Sequence, residues 1–255
     1  MKIVIIHGGH RKGATYKVAE YVAGKFADTQ GIEIEWILLK DRSIKNCLGC
    51  FVCLFKGEDK CPLKDDRDEI YKKIMAADGL IMAVPNYSLQ VPALAKSLLD
   101  RLAFVFHRPN MYGKRFMAIV TQGVYGGNGI VKYLNEAMKF WGFGISKGVC
   151  ITLIPGQPIP EKSNKALDDA ARRFLQDLEN NKPPVPTFKD LAIFYFARNG
   201  IETQEATSVD RCYYESKGWF KSRYYYDVRL GPVKLFFAWI MDKMAKKMVA
   251  KTNKV

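Results

Sequence analysis

Residues 2–15 read KIVIIHGGHRKGAT, and the rest of the chain repeats the pattern that this stretch sets. The run from Lys2 to His7 is apolar and rich in β-branched side chains, which is typical of a strand buried on both faces of a parallel sheet. Two glycines and a polar loop follow it, and apolar residues then recur at helical spacing from Thr15 to Phe26. The order of strand, glycine-rich loop and helix predicts the first βα unit of an α/β fold.

Strand and helix patterns alternate five times along the first 180 residues, which predicts a doubly wound, five-stranded parallel sheet. Ligands of such sheets bind beyond the carboxyl ends of the strands. The most polar or glycine-rich loops follow the first, third and fourth strands, so we expect all three to open at one edge. The other predicted strands are 32–39, 79–84, 115–121 and 143–154, and the other predicted helices are 65–76, 92–106, 127–141 and 161–180.

The segment NKPPVP at 181–186 breaks this alternation and predicts a stiff linker. We therefore divide the chain into a domain at 1–181 and an aromatic-rich extension at 182–255. The extension ends in a cationic amphipathic helix predicted at 233–251. Such a helix packs on its own domain or on a dimer partner, or it makes peripheral contact with an anionic membrane. Its apolar residues near one face are Leu235, Phe236, Trp239, Ile240, Met244 and Met248.

Composition narrows the classes of protein that the chain can belong to. With 48% hydrophobic and 26% charged residues it is typical of a globular protein rather than a disordered one. No apolar run reaches the roughly 20 residues that span a bilayer, and no signal peptide is evident, so we expect a cytoplasmic protein. The net charge of +14 favours anionic ligands. We do not expect nucleic-acid binding, because no recognised nucleic-acid module accompanies the basic residues.

The loop from Gly9 to Thr15 joins a strand to a helix N-terminus, which suits a phosphate group. Helix N-termini offer unpaired N–H groups and a positive partial charge, and Arg11 and Lys12 add cations. An ordinary tight turn in which Thr15 caps the helix is the alternative. The loop is neither a Walker loop nor GxGxxG.

The same loop resembles the Gly-Ser-Pro-Arg-Lys-Gly-Asn-Thr phosphate loop of the NADPH-dependent FMN reductase group within the flavodoxin-like superfamily, from which it departs at Gly9, His10 and Ala14. The segments after the third and fourth strands also resemble the loops that hold the flavin ring in that group, and Tyr87 is either a stacking partner of the ring or a half-buried surface aromatic. The resemblance implies a flavodoxin-like fold, FMN as cofactor, NAD(P)H as electron donor and a homodimer. The residues that it assigns to the cofactor are Gly9, His10, Arg11, Lys12, Gly13, Ala14, Thr15, Pro85, Asn86, Tyr87, Ser88, Thr121, Gln122, Gly123, Gly126 and Gly127.

Four of the six cysteines, Cys47, Cys50, Cys53 and Cys61, crowd into one short segment. Steps of three residues let thiolates point at one centre, and this spacing is similar to ferredoxin-type ligation of a [4Fe–4S] cluster and to the motif of the iron–sulfur flavoproteins. A zinc site and reduced thiols without metal remain alternatives.

These observations favour a flavin oxidoreductase that passes electrons from NAD(P)H to a small-molecule or protein acceptor, either directly or through a [4Fe–4S] cluster. An FMN electron carrier and a membrane-surface module without reductase activity are the competing hypotheses. Flavin chemistry needs no protein general acid or base here, so we assign no catalytic residue.

Overall fold

The computed structural model describes residues 1–27, 29–154, 156–180 and 182–252. A parallel sheet forms its centre, with the strand order β2 (Glu33–Leu38), β1 (Lys2–His7), β3 (Gly79–Pro85) and β4 (Arg115–Gln122). Two short strands, β5 (Gly144–Ile145) and β6 (Val149–Thr152), then pair with β4 one after the other. This order is that of the flavodoxin-like doubly wound fold, so the predicted fold class is confirmed.

In chain order the helices are α1 (Ala14–Ala27), α2 (Val52–Phe55), α3 (Arg67–Ala76), α4 (Ala93–Arg101), α5 (Phe104–His107), α6 (Gly127–Trp141), α7 (Glu161–Asn180), α8 (Phe188–Glu202), α9 (Val209–Ser216) and α10 (Pro232–Thr252). Packing divides the chain into two units. One comprises Met1–Cys50 and Pro62–Lys182, and the other comprises Phe51–Cys61 and the residues from Pro183 onward. Asn181, where we placed the start of the linker, lies outside the described residues.

The core of the first unit follows from the alternation of side chains along β1. Ile3 and Ile5 point to the face that α1 and α7 cover, and they are fully buried there. The rings of Phe26 on α1 and Phe174 on α7 meet at a centroid distance of 6.0 Å within the same cluster. Burial on both faces explains why β1 shows an uninterrupted apolar run instead of an alternating pattern.

A left-handed residue ends α6. Gly142 has φ of +105°, and its N–H group bonds the carbonyl groups of Met138 and Lys139, as in helix C-caps that favour glycine. A Cβ atom at this position would lie 3.2 Å from the backbone N of Met111. The turn that leads from α6 into β5 therefore depends on glycine both for its conformation and for its space.

Two predicted elements are wrong in their extent. The fifth strand, predicted at 143–154, is split into β5 and β6 between Ile145 and Val149. At the break, the Ser146 N–H group donates to the carbonyl of Phe116 on β4 at 2.9 Å, and the Ser146 hydroxyl donates to Asp177 on α7 at 2.5 Å. The helix predicted at 92–106 is interrupted between α4 and α5. The extension holds α8 and α9 in addition to the predicted terminal helix, which is α10.

In the second unit, α8 packs against α9 and α10. A capping box begins α8, in which Thr187 accepts from the N–H group of Asp190 and the Asp190 carboxylate accepts from the N–H group of Thr187. Aromatic rings fill the interior: Tyr225 lies 4.7 Å from both Phe194 and Trp219 between ring centroids. The aromatic density of the extension thus forms a small core of its own.

Candidate functional site

A cleft of about 450 Å³ lies at the carboxyl edge of the sheet. Its volume is within the range of pockets that hold cofactors and other small molecules. The loops after β1, β3 and β4 all line it, and the segment after β6 adds Leu153, Gly156 and Gln157. The three loops that the sequence singled out therefore converge on one site.

The loop after β1 presents the N-terminus of α1 to the cleft. Gly13 donates its N–H group to the carbonyl of Arg11 at 2.7 Å, and the first helical bond runs from the Lys17 N–H group to the carbonyl of Gly13 at 3.1 Å. The backbone N–H groups of residues 14–16 precede that bond and are the orphan donors of the helix. Thr15 does not cap the helix, because it lies inside α1 and its hydroxyl shares a buried 2.6 Å hydrogen bond with the hydroxyl of Thr121.

Positive charge dominates the walls of the cleft. Arg11, Lys12 and Lys17 line it, and none of the described lining residues is a carboxylate. The ammonium group of Lys12 lies 4.9 Å from the ring centroid of Tyr16. Orphan N–H groups, the helix dipole and three cations together suit an anion such as a phosphate.

The loops after β3 and β4 are joined by Asn86. Its N–H group donates to the carbonyl of Thr121 at 2.7 Å, and its side-chain amide donates to the carbonyl of Tyr125 at 2.8 Å. Beyond it, Tyr87 and Gln90 form a tight hairpin whose two central residues, Ser88 and Leu89, have φ of +50° and +63°. Positive φ at two residues other than glycine is strained, and such strain gathers at ligand-binding loops. The hairpin holds the Tyr87 ring at the cleft with 47% of the side chain exposed.

His7, the last residue of β1, is a polar group that the sequence argument did not assign to the site. It is fully buried, lines the cleft, and both ring nitrogens lack a hydrogen-bond partner within the described structure. Burial, with smaller contributions from the nearby charges of Lys40 and Lys12, lowers the pKa of His7 to about 4. The imidazole is therefore neutral near pH 7, with one donor and one acceptor available to a ligand. The side-chain oxygen of Asn86 is a third buried, unpartnered atom in the cleft wall.

Most residues that the sequence assigned to a cofactor line the cleft. His10, Ser88, Gly126 and Gly127 do not, and the Gly127 N–H group is occupied by the side-chain oxygen of Gln122 at 2.6 Å. His7, Lys17 and the segment after β6 line the cleft without having been assigned. A polar residue at the end of an apolar strand, and a glycine after the last strand, were signals that could have found them. The assigned residues that line the cleft are Gly9, Arg11, Lys12, Gly13, Ala14, Thr15, Pro85, Asn86, Tyr87, Thr121, Gln122 and Gly123.

FMN fits this cleft. A phosphate suits the cationic helix N-terminus, and a polar ring or ribityl chain can satisfy the unpartnered atoms of His7 and Asn86. A buried polar atom that lacks a partner costs stability unless a ligand or water pairs with it.

In the described structure, the cysteine segment does not form a metal site. All six cysteines are thiols; Cys47 and Cys50 are exposed, whereas Cys53 and Cys61 are half-buried. Over the described ranges, no group of three or more His, Cys, Asp or Glu side chains is placed to share a metal ion. The four thiols of Cys47, Cys50, Cys53 and Cys61 have the donor chemistry of an iron–sulfur cluster, and we derive no electron-transfer step through one.

A buried ion pair holds the two ends of the cysteine segment together. The guanidinium group of Arg101 bonds the carboxylate of Asp65, and both side chains are almost completely buried. Arg101 also donates to the carbonyl groups of Lys45 at 3.3 Å and Leu63 at 3.4 Å, and Asp65 accepts from the Lys45 N–H group at 2.8 Å. Burial alone would raise the pKa of Asp65. The hydrogen bonds that its carboxylate accepts from the Lys45 N–H group, the Arg101 guanidinium group and the Arg67 N–H group lower the pKa overall. We call these contacts the Arg101–Asp65 clamp.

Solved structures share the fold of this chain. RosB with bound 8-demethyl-8-formylriboflavin-5'-phosphate superposes with a TM-score of 0.56 at 15% identity, over 91% of this chain and 92% of that chain. The apo form of an NADH:FMN oxidoreductase (EMOB) superposes with a TM-score of 0.52 at 22% identity, over 69% of this chain and 89% of that chain.

Sequence comparison gives a family. An iron–sulfur flavoprotein of Archaeoglobus fulgidus is 32% identical over 198 residues, 76% of this chain and 87% of that protein. An iron–sulfur flavoprotein of Methanocaldococcus jannaschii is 42% identical over 102 residues, 40% of this chain and 51% of that protein. The family described as NADPH-dependent FMN reductase matches residues 1–153. With its sheet, the loop after β1 and this match, the chain belongs to the NADPH-dependent FMN reductase family, whose members are FMN-dependent oxidoreductases.

Proposed function

We propose that this protein binds FMN in the cleft at the carboxyl edge and transfers electrons from NAD(P)H to a small-molecule or protein acceptor. The observation that carries the proposal is the convergence of the α1 N-terminus, three cations and two unpartnered buried side chains on one cleft. Bound FMN would supply the chemistry, which is acceptance of a hydride and release of its electrons.

The residues of the chain bind and orient the cofactor in this proposal. The N–H groups at the start of α1, with Arg11 and Lys12, hold the phosphate. The loops after β3 and β4 hold the ring edge, because the hydrogen bonds of Asn86 fix one loop to the other. Tyr87 lies half-exposed at the cleft, where its side chain would cover one side of a bound flavin ring. No side chain has to move a proton.

Comparison of FMN with riboflavin tests the phosphate assignment. Apo-protein should bind FMN far more tightly than riboflavin, because riboflavin lacks the phosphate. Lys12→Met should weaken FMN binding by about tenfold, since a hydrogen bond to a charged group contributes about 1.5 kcal/mol, and it should leave riboflavin binding unchanged. Lys72→Met, an exposed lysine on α3, is the matched control and should change neither affinity. Equal affinity for FMN and riboflavin would overturn the assignment.

Anaerobic addition of NADPH or NADH to the FMN-loaded protein tests the reaction. Loss of the flavin absorbance on addition of either nucleotide supports a reductase. Reduction by dithionite but by neither nucleotide would indicate an electron carrier instead.

We also propose that Cys47, Cys50, Cys53 and Cys61 bind a [4Fe–4S] cluster. The support is the ferredoxin-like spacing and the name of the curated relatives. Protein purified without oxygen should contain about four iron and four sulfide ions per chain. Cys50→Ser should remove them, whereas Cys212→Ser, outside the segment, should not. Zinc in their place, or no metal, would refute the cluster.

A homodimer in the cytoplasm completes the proposal, on the family resemblance and on the absence of an apolar span in the sequence. Analytical ultracentrifugation of the FMN-loaded protein should give twice the chain mass of 29.0 kDa. A monomer at micromolar concentration would contradict the dimer and leave the cofactor assignment untouched.

A further inference from the structure

Helix α10 carries a row of large apolar side chains that the described structure leaves in water. Each is more than half exposed, from 52% at Met244 to 72% at Val233. Single exposed apolar residues are common, but a contiguous row on one element marks an interaction surface. At 1.5 Å per residue the row extends for about 22 Å along the helix. Its members are Val233, Phe236, Trp239, Met244 and Met248.

The opposite side of α10 is the one that packs, so the exposed row cannot turn inward. Ala238 and Ala245 are buried there. Asp242 accepts hydrogen bonds from Arg198 and Asn199 of α8, the latter at 3.0 Å. Sequence reasoning expected packing by the larger apolar residues. In the structure Ala238, Ala245 and Asp242 pack instead of Phe236, Trp239, Met244 and Met248, and Phe237 also contacts α8, with its ring centroid 4.9 Å from that of Phe188.

The exposed side is cationic as well as apolar. Lys243, Lys247 and Lys251 lie among the apolar residues and are exposed, and the ammonium group of Lys243 lies 5.9 Å from the ring centroid of Trp239. Asp242 is the only acidic residue between Pro232 and Thr252, and it belongs to the packed side. We call the exposed row and these lysines the α10 face.

An anionic lipid surface matches both properties of the α10 face. Aromatic and methionine side chains enter the boundary between headgroups and acyl chains, while lysine stems extend their ammonium groups to the lipid phosphates. A nucleic acid would satisfy the lysines but leave the apolar row in water. A second copy docked through the same face would place these lysines against one another, so like charges would oppose that contact.

We propose that the α10 face docks lengthwise on an anionic membrane surface. Within the part of the chain that the structure describes, every helix fails in length or in apolarity to cross a bilayer. The proposed contact is therefore peripheral and reversible. It is independent of the proposed function, since no residue of the α10 face lines the cleft.

The experiment uses the full-length protein and vesicles of 30% phosphatidylserine in phosphatidylcholine, with pure phosphatidylcholine for comparison. Of the four tryptophans, Trp36, Trp141, Trp219 and Trp239, only Trp239 is largely exposed, at 57%. Anionic vesicles should therefore shift the tryptophan emission to shorter wavelength and protect it from acrylamide, and Trp239→Phe should lose that signal. Co-sedimentation should weaken about fivefold for each lysine of the face replaced by glutamine.

Two paired variants decide the result. Phe236→Ser with Trp239→Ser should lose vesicle binding, while Val185→Ser, also exposed but outside α10, should keep it. All of these side chains are exposed, so the thermal midpoint should not change, and a scan verifies that each variant is folded. Vesicle binding that survives the Phe236/Trp239 change would overturn the proposal, because charge alone would then explain it. Preference for duplex DNA over vesicles, or self-association that the same change abolishes in the absence of lipid, would also overturn it.

Discussion

Acidification should destabilise this protein through one buried imidazole. The pKa of His7 is about 4 in the folded chain against an ordinary value of 6.5, chiefly because the side chain is buried. Between pH 6.5 and pH 4 the imidazole is protonated in the unfolded chain but neutral in the folded chain. The free energy of unfolding is therefore highest above pH 6.5 and falls as the pH drops through this interval. Linkage over this interval gives a loss of about 2 kcal/mol between pH 7 and pH 5, rising to about 3 kcal/mol below pH 4.

Urea unfolding of the apo-protein at pH 7, 6 and 5 measures this loss. The His7→Asn variant cannot bind this proton. The carboxylates titrate in both proteins, so their contributions to the free energy of unfolding cancel when the two proteins are compared. The free energy of unfolding of wild type should therefore fall about 2 kcal/mol more than that of the variant between pH 7 and pH 5. Parallel curves for the two proteins would refute the buried, neutral His7.

Three further substitutions test particular contacts. Gly142→Ala should lower the free energy of unfolding by about 1–3 kcal/mol, because φ is +105° at this position. Gly129→Ala is the control: no atom lies within 4 Å of the added Cβ, so this change within α6 should not destabilise the protein. Arg101→Met should cost about 3–5 kcal/mol by leaving Asp65 buried without its partner, and a loss below about 1 kcal/mol would mean that the pair behaves like an exposed one. Thr121→Val should cost about 1–2 kcal/mol by orphaning the buried hydroxyl of Thr15, and Thr121→Ser should restore most of it.

The sheet and the position of the cleft could be predicted because both follow from local signals. The apolar runs that became β1, β3 and β4 need no distant partner to be recognised, and glycine-rich loops at their ends mark the ligand edge. The sequence did not indicate His7 as a site residue. A single polar residue at the end of a strand points to a ligand only when its burial and its lack of hydrogen-bond partners are known.

Other features depend on contacts between distant residues. The break between β5 and β6 coincides with a hydrogen bond from the Ser146 hydroxyl to Asp177, 31 residues later in the chain. The packed side of α10 is set by Asp242 and Asn199, whose pairing no periodicity in either helix indicates. Apolar periodicity predicted that α10 forms, but not which side of it would be buried.

The Arg101–Asp65 clamp bears on whether the fold depends on the cluster proposed for the cysteine segment. Small metal-dependent domains unfold without their ion, because the metal alone closes the loop that carries its ligands. Here protein hydrogen bonds close that loop at Lys45 and Leu63, and the sheet and cleft form from residues outside it. If the proposed cluster is bound, its loss should therefore leave the sheet and the cleft folded, and the chain without metal should still take up flavin.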